Sequence, residues 1–265
     1  MTFEEASTTS MCGLTAAQGL FDRMGLPSPF STGNLGDSDK TKDPINVLVY
    51  GASSSLGMYA AQLARVAAAH AGRELRLIGT ALKSKHALLS SPPYSYDVLI
   101  DYRDPDWPAQ VRAATHGAGV QYAVDTISEG ETPFQVESTL SDNGKFATFR
   151  ADYDTKRLAT LRIQPVYGAA WEGLGEEVHF GHGVVFPASA RGRAFAATFY
   201  LWLSEGDQVK IVPNPVRLMP GGLERVPADG LALVSDIQLS ARKEGARSEE
   251  YMRPISGEKI VYTVA

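Results

Sequence analysis

One stretch constrains this chain more than any other: Ile45-Asn46-Val47-Leu48-Val49-Tyr50-Gly51-Ala52-Ser53-Ser54-Ser55-Leu56-Gly57-Met58-Tyr59-Ala60-Ala61-Gln62-Leu63. It opens as a largely apolar run rich in β-branched residues, the pattern of a strand buried on both faces. A turn of small residues follows from Gly51 to Gly57, and then Leu56, Tyr59/Ala60, Leu63 and Val66/Ala67 recur at helical spacing. Strand, turn and helix together gather unpaired backbone N–H groups and the positive end of a helix dipole at one spot. Such a spot receives an anion, here expected to be the pyrophosphate of a dinucleotide. The spacing Gly51-x5-Gly57 departs from G-x-G-x-x-G, with Ser54 where a middle glycine would stand. No Lys follows Gly57, as a P-loop requires, and Ser55 occupies the place of the second glycine of a nucleophile elbow. An ordinary strand-to-helix turn fits the same residues.

From Ile45 onward the strand and helix patterns alternate. Strands are expected at 45–50, 75–80, 98–101, 121–126, 144–149 and 161–167, with helices at 55–71, 84–90, 107–116 and 131–141. That alternation specifies an α/β fold with a doubly wound parallel sheet and right-handed crossovers. Upstream, Thr2-Phe3-Glu4-Glu5 reads as a capping box opening a helical stretch towards Gly25, broken at Gly13. Residues 27–44 read as a long Pro- and Gly-containing surface loop. Downstream come a helix over 187–205, a strand at 216–219, a helix over 223–235 and a charged, exposed insert at 240–250. The last strand, 258–264, has no following segment to pair with.

The bulk properties narrow the partners. A net charge of −5 gives no electrostatic footprint for nucleic acid. No window is apolar for long enough to cross a bilayer. The acidic start Met1-Thr2-Phe3-Glu4-Glu5 differs from a basic leader, and Cys12 is the only cysteine, so a cytoplasmic protein without internal disulfides is expected. His179-Phe180-Gly181-His182 lacks a third ligand, so no metal site is expected. No Tyr has a Lys four residues later, so the Tyr-Lys pair of short-chain dehydrogenases is absent. His70, His86 and His116 read as residues of exposed helix ends.

The end of the second strand bears on the choice of cofactor. It continues into Ala81-Leu82-Lys83-Ser84-Lys85-His86, which offers two ammonium groups and a hydroxyl but no carboxylate for a ribose 2′-hydroxyl. A 2′-phosphate would find charge-assisted donors there, favouring NADP over NAD. The same residues also fit a solvated basic helix start. Asp125-Thr126-Ile127-Ser128 ends the fourth strand at the sheet edge where ligands lie in open α/β folds. Small and apolar residues there could face a nicotinamide, and Asp125 could equally cap the next helix. Trp171 and Tyr167, near Glu172, fit either a substrate pocket or core packing.

Six strings in one order carry a resemblance: Gly51-Ala52-Ser53-Ser54-Ser55-Leu56-Gly57, Asp101-Tyr102-Arg103-Asp104-Pro105, Tyr122-Ala123-Val124-Asp125-Thr126-Ile127-Ser128, Gly173-Leu174-Gly175-Glu176-Glu177, Pro213-Asn214-Pro215-Val216-Arg217 and Gly257-Glu258-Lys259-Ile260-Val261. In them the chain resembles medium-chain dehydrogenase/reductases of the zinc-independent quinone oxidoreductase type, above all the fungal trans-acting enoyl reductases and related dehydrogenases of secondary-metabolite clusters. The resemblance implies an NADPH-dependent reductase of a carbon–carbon double bond conjugated to a carbonyl. The implied substrate is a small or carrier-bound enone, with a polyketide synthase as partner, and the implied assembly is a monomer or homodimer. It implies that Ser53, Ser54, Ser55 and Leu56, between Gly51 and Gly57, lie on the pyrophosphate. Lys83, Ser84, Lys85 and Tyr102 would surround the 2′-phosphate, and Thr126 and Ile127 would lie beside the nicotinamide. Ile260 and Val261 would approach the cofactor from the last strand, and no residue is assigned as proton donor.

The same resemblance divides the chain into a dinucleotide-binding (Rossmann) domain over 1–210 and the C-terminal return of a GroES-like substrate domain over 211–265. The N-terminal part of that substrate domain is expected to be missing, which leaves apolar surface exposed along 211–265. The alternative is a shortened, non-redox relative that acts as an isomerase or interaction partner and binds the cofactor weakly or not at all.

Overall fold

The computed structural model describes residues 1–30, 43–150, 155–180, 184–206, 208–233 and 248–264. The middle of the expected 27–44 loop, most of the 240–250 insert and His182 lie outside these residues. The chain divides into two compact units, Met11–Val212 and a second made of Met1–Ser10 with Pro213–Ala265.

In the larger unit six strands form one sheet: β1 (Ile45–Tyr50), β2 (Leu75–Thr80), β3 (Val98–Ile100), β4 (Val120–Asp125), β5 (Leu140–Thr148) and β6 (Val166–Tyr167). Every pairing is parallel and the order is β3-β2-β1-β4-β5-β6. This is the doubly wound arrangement, with its topological switch between β1 and β4. In β1, Val47 and Val49 enter the core on one side, while Leu48 and Tyr50 enter it on the other. A strand covered on both faces needs apolar residues at consecutive positions, which explains the unbroken run read from the sequence.

The helices that cover the sheet follow its strands. The first core contains side chains from α2 (Ser10–Ala17), α3 (Ser55–Ala71), Leu89 of α4 (Lys83–Ser90) and Phe199 of α8 (Ala190–Ser204). The second contains Trp107 and Val111 of α5 (Trp107–Ala114) and Val136 of α6 (Thr132–Ser138). A short α7 (Thr155–Leu158) and an antiparallel hairpin of β7 (Val178–Phe180) with β8 (Val184–Phe186) lie between β5 and α8. Gly72, at φ 61°, ends α3, and its N–H bonds back to Ala68 and Ala69.

The smaller unit opens with the expected capping box: Glu5 N–H donates to Thr2 Oγ1, and Thr2 N–H donates to Glu5 Oε2. The helix it starts, α1 (Phe3–Ser7), ends at Thr8 rather than at Gly13, and Gly13 lies buried inside α2. Ser7 and Thr8 turn their hydroxyls onto the carbonyls of Glu4 and Glu5, the local bonding that competes with helix continuation. In this unit β9 (Val216–Leu218) pairs in parallel with β10 (Lys259–Val261), so the last strand does find a partner, earlier in the chain. The helix expected over 223–235 is broken into a 3-10 turn at Leu223–Arg225, a π turn at Val226–Gly230 and α9 (Leu231–Leu233). Pro227 accounts for the break, because it cannot supply a helical N–H.

Candidate active site

The sheet's C-terminal edge gathers most of the residues singled out in the sequence. Because Tyr50 sits opposite both Thr80 and Asp125 in register, the segments that follow β1, β2 and β4 leave the sheet side by side. Gly51 turns immediately, at φ 78°. A Cβ there would lie 2.4 Å from Thr126 Oγ1 and 3.0 Å from Ile127 Cγ1, so the position requires glycine on conformational and steric grounds. Gly57 is equally confined, since a Cβ there would lie 2.4 Å from the Gly51 carbonyl oxygen. Ser54, by contrast, is extended, with φ −72° and ψ 159°, and caps α3 by accepting the Gly57 N–H at 2.9 Å. Ser54 therefore stands in the place of a middle glycine with a backbone conformation that needs no glycine.

Hydroxyl bonds join the two sides of the switch point. Ser54 Oγ donates to Thr126 Oγ1 at 2.9 Å, and Thr126 Oγ1 donates to the Tyr50 carbonyl at 2.8 Å. Thr80, fully buried at the end of β2, accepts the Gly51 N–H at 3.1 Å. Sequence reasoning passed over Thr80, although its register opposite Tyr50 is the signal that would have found it. The amides of Ser53 and Leu56 have no partner among the described residues, as expected of donors kept for an anion at the start of a helix.

Lys83, Ser84 and Lys85 form the first turn of α4. Lys83 and Ser84 are exposed and Lys85 is half-buried. Among the described residues neither ammonium is paired with a carboxylate. Ala81 N–H donates to the Ile100 carbonyl at 3.0 Å, which brings this turn out beside the segment that follows β3. That segment carries Tyr102, 39 % exposed, its ring 6.4 Å from the ring of Tyr50. Burial holds the Tyr50 phenol well above its ordinary pKa, and the nearby Asp125 charge adds to the effect. His86 is half-buried rather than fully exposed, with Nε2 3.1 Å from the Ala81 carbonyl.

At the end of β4, Asp125 is wholly buried. Its Oδ1 accepts the N–H groups of Ile127 (3.0 Å) and Ser128 (2.8 Å), and Oδ2 accepts the Thr132 hydroxyl at 2.8 Å. The carboxylate thus closes the whole β4–α6 turn and is not the N-cap of α6, a position held by Glu131. Burial pushes its pKa up to about 6, opposed by the bonds from Ser128, Thr132 and Ile127. Tyr167 and Trp171 lie against Phe186, at ring separations of 5.8 and 6.1 Å. Glu172 accepts from Gln18 Nε2 and pairs with Arg23. Ile260 and Val261 belong to the smaller unit, in β10 opposite Arg217 and Leu218.

Among the described residues, no group of three or more His, Cys, Asp or Glu is placed to hold a metal ion, and no helix is long and apolar enough to cross a membrane. His179 Nε2 lies 2.9 Å from Glu177 Oε1.

Strand order 3-2-1-4-5-6, with a glycine turn opposite Thr126 at the switch point, defines a Rossmann-type α/β protein. Solved structures share the fold: the CurK enoyl reductase (TM-score 0.60, 19% identity, 86% of this chain and 58% of that one) and a putative NADPH:quinone reductase from Bacillus thuringiensis (TM-score 0.59, 18% identity, 90% and 62%). No protein-family model matches the chain. By sequence the chain is similar to enoyl reductase cheB of Chaetomium globosum, 30% identical over 249 residues that make up 92% of this chain and 62% of the relative. It is also similar to trans-enoyl reductase ACTTS2 of Alternaria alternata, 27% identical over 229 residues, or 86% of this chain and 60% of the relative. The chain is thus similar in sequence to fungal enoyl reductases and shares the Rossmann-type fold of the solved enoyl and quinone reductases. It spans about three fifths of the length of these curated relatives.

Proposed function

We propose that this chain is the cofactor-binding part of an NADPH-dependent enoyl reductase of fungal secondary metabolism. In this reading the enone is presented by a polyketide synthase. One observation supports it above the rest: a turn with unpaired Ser53 and Leu56 amides faces Thr126 across the switch point, beside a carboxylate-free β2 end carrying Lys83 and Lys85. In this reading the two amides hold the pyrophosphate, while Lys83, Ser84, Lys85 and Tyr102 receive the 2′-phosphate. Thr126 and Ile127 orient the nicotinamide half. When bound, NADPH supplies a hydride to the β-carbon of an enone, and a proton then completes the saturated carbonyl. The protein's own contribution is orientation and exclusion of water.

The test is a fluorescence titration with NADPH and NADH, followed by NADPH loss in the presence of a generic enone. Lys83→Ala with Lys85→Ala is expected to weaken NADPH by roughly tenfold or more and to leave NADH nearly unchanged, because only the former carries the 2′-phosphate. Equal weakening of both cofactors would remove the 2′-phosphate assignment. Absence of NADPH binding at millimolar concentration would remove the oxidoreductase reading for this chain.

A further inference from the structure

We infer that Asp125 is a positioning residue for the nicotinamide half of the cofactor, its carboxylate holding the ends of β4 and β5 in the shape on which that half rests. The inference rests on reading this edge as the NADPH site. Its structural basis is a chain of bonds that begins at one buried group. Asp125 fixes the N–H groups of Ile127 and Ser128 and the hydroxyl of Thr132. Those bonds accompany a φ of 52° at Ser128, a left-handed conformation that a non-glycine residue seldom adopts. In that conformation the Ser128 hydroxyl donates to the Asp125 carbonyl at 2.7 Å and accepts the Phe149 N–H at 3.1 Å, tying in the residue that follows β5. On the other side, the same turn places Thr126 against Ser54 and Ile127 over Gly51.

The fold alone does not call for an acid here. An asparagine of the same size could accept both amides through its oxygen and donate to Thr132 Oγ1, which already accepts the Glu129 N–H at 3.1 Å. Asp125 pairs with no cation among the described residues, so its charge is compensated only by three hydrogen bonds. The acid instead gives charge-assisted bonds, roughly twice as strong as neutral ones, and thus a stiffer turn. A group retained at a cost to stability, beside the edge where ligands lie, marks a site residue rather than a core residue.

The experiment compares affinity for NADPH with affinity for adenosine 2′,5′-bisphosphate, which lacks the nicotinamide half, in wild type, Asp125→Asn and Asp125→Ala. Urea midpoints are measured alongside. NADPH affinity is expected to fall about threefold in Asp125→Asn and about tenfold in Asp125→Ala, where two buried amides lose their acceptor. The bisphosphate affinity stays constant, and Asp125→Asn is at least as stable as wild type at pH 7. An unchanged ratio of the two affinities in all three proteins would overturn the inference while leaving the cofactor reading in place. A wild-type protein that binds neither ligand would remove both.

Discussion

Single residues decide how the edge of this sheet behaves, and Asp125 is the clearest case. Burial pushes its pKa from the ordinary carboxylate value of 3.8 up to about 6, so the folded protein binds this proton more tightly than the unfolded chain does. Stability at this position is therefore greatest below pH 4, falls as the pH rises towards 6, and is flat above. The whole change amounts to roughly 3 kcal/mol. Urea midpoints of wild type and Asp125→Asn between pH 4 and pH 7.5 measure it. The difference between them should move in favour of the asparagine as pH rises, and parallel curves would show that the burial penalty is not felt. The sequence showed Asp125 at a strand end, but a helix cap and a site role were both open. The deciding partners, Ser128 and Thr132, lie within one turn whose left-handed residue is a serine, and nothing in local spacing announces that conformation.

At the scale of elements, strands and helices with strong periodicity were legible and irregular ones were not. The strand over 45–50 and the helix over 55–71 stand where the apolar spacing places them. The strand expected at 144–149 begins earlier, at Leu140, and α6 is shorter to match. Ser141-Asp142-Asn143-Gly144 has the composition of a turn, and the register with β4 shifts there, from Val120 opposite Leu140 to Tyr122 opposite Lys145. The β9–β10 pair was hidden for another reason. Its stability is polar: Arg217 is buried, bonds Glu258 through Nε at 3.0 Å and donates to the carbonyls of Tyr251 and Pro254. Arg217→Ala would leave these carbonyls without a donor and Glu258 with Arg253 and the Ser256 N–H alone, at about 2–3 kcal/mol. Hydrogen exchange of the β9 and β10 amides should accelerate by orders of magnitude while β1 and β4 are unaffected. Unchanged exchange in β10 would show that the arginine does not hold the strands.

For the molecule as a whole, the two units differ sharply in what holds them. Nearly all the buried apolar side chains belong to Met11–Val212, and among the described residues of the smaller unit only Met219 and Met252 are buried apolar groups. Leu218, Leu223, Leu231 and Val264 there are each more than half exposed. A unit with so little apolar burial is the weaker one. Denaturation is expected in two steps, with amide exchange in β9 and β10 complete before ellipticity from the larger unit is lost. A single transition in which both units exchange together would show that they unfold as one.

The Ser54 hydroxyl carries the last consequence. Its proton is committed to Thr126 while its oxygen accepts the Gly57 amide, so the hydroxyl has no proton left to give an anionic ligand. An anion above Ser53 and Leu56 would therefore take no proton from Ser54 and would meet the peptide dipoles of those two amides instead. Donors of that kind are invisible to a pattern of letters: the turn can lose its middle glycine, look damaged as a motif, and keep the same backbone amides at the start of α3.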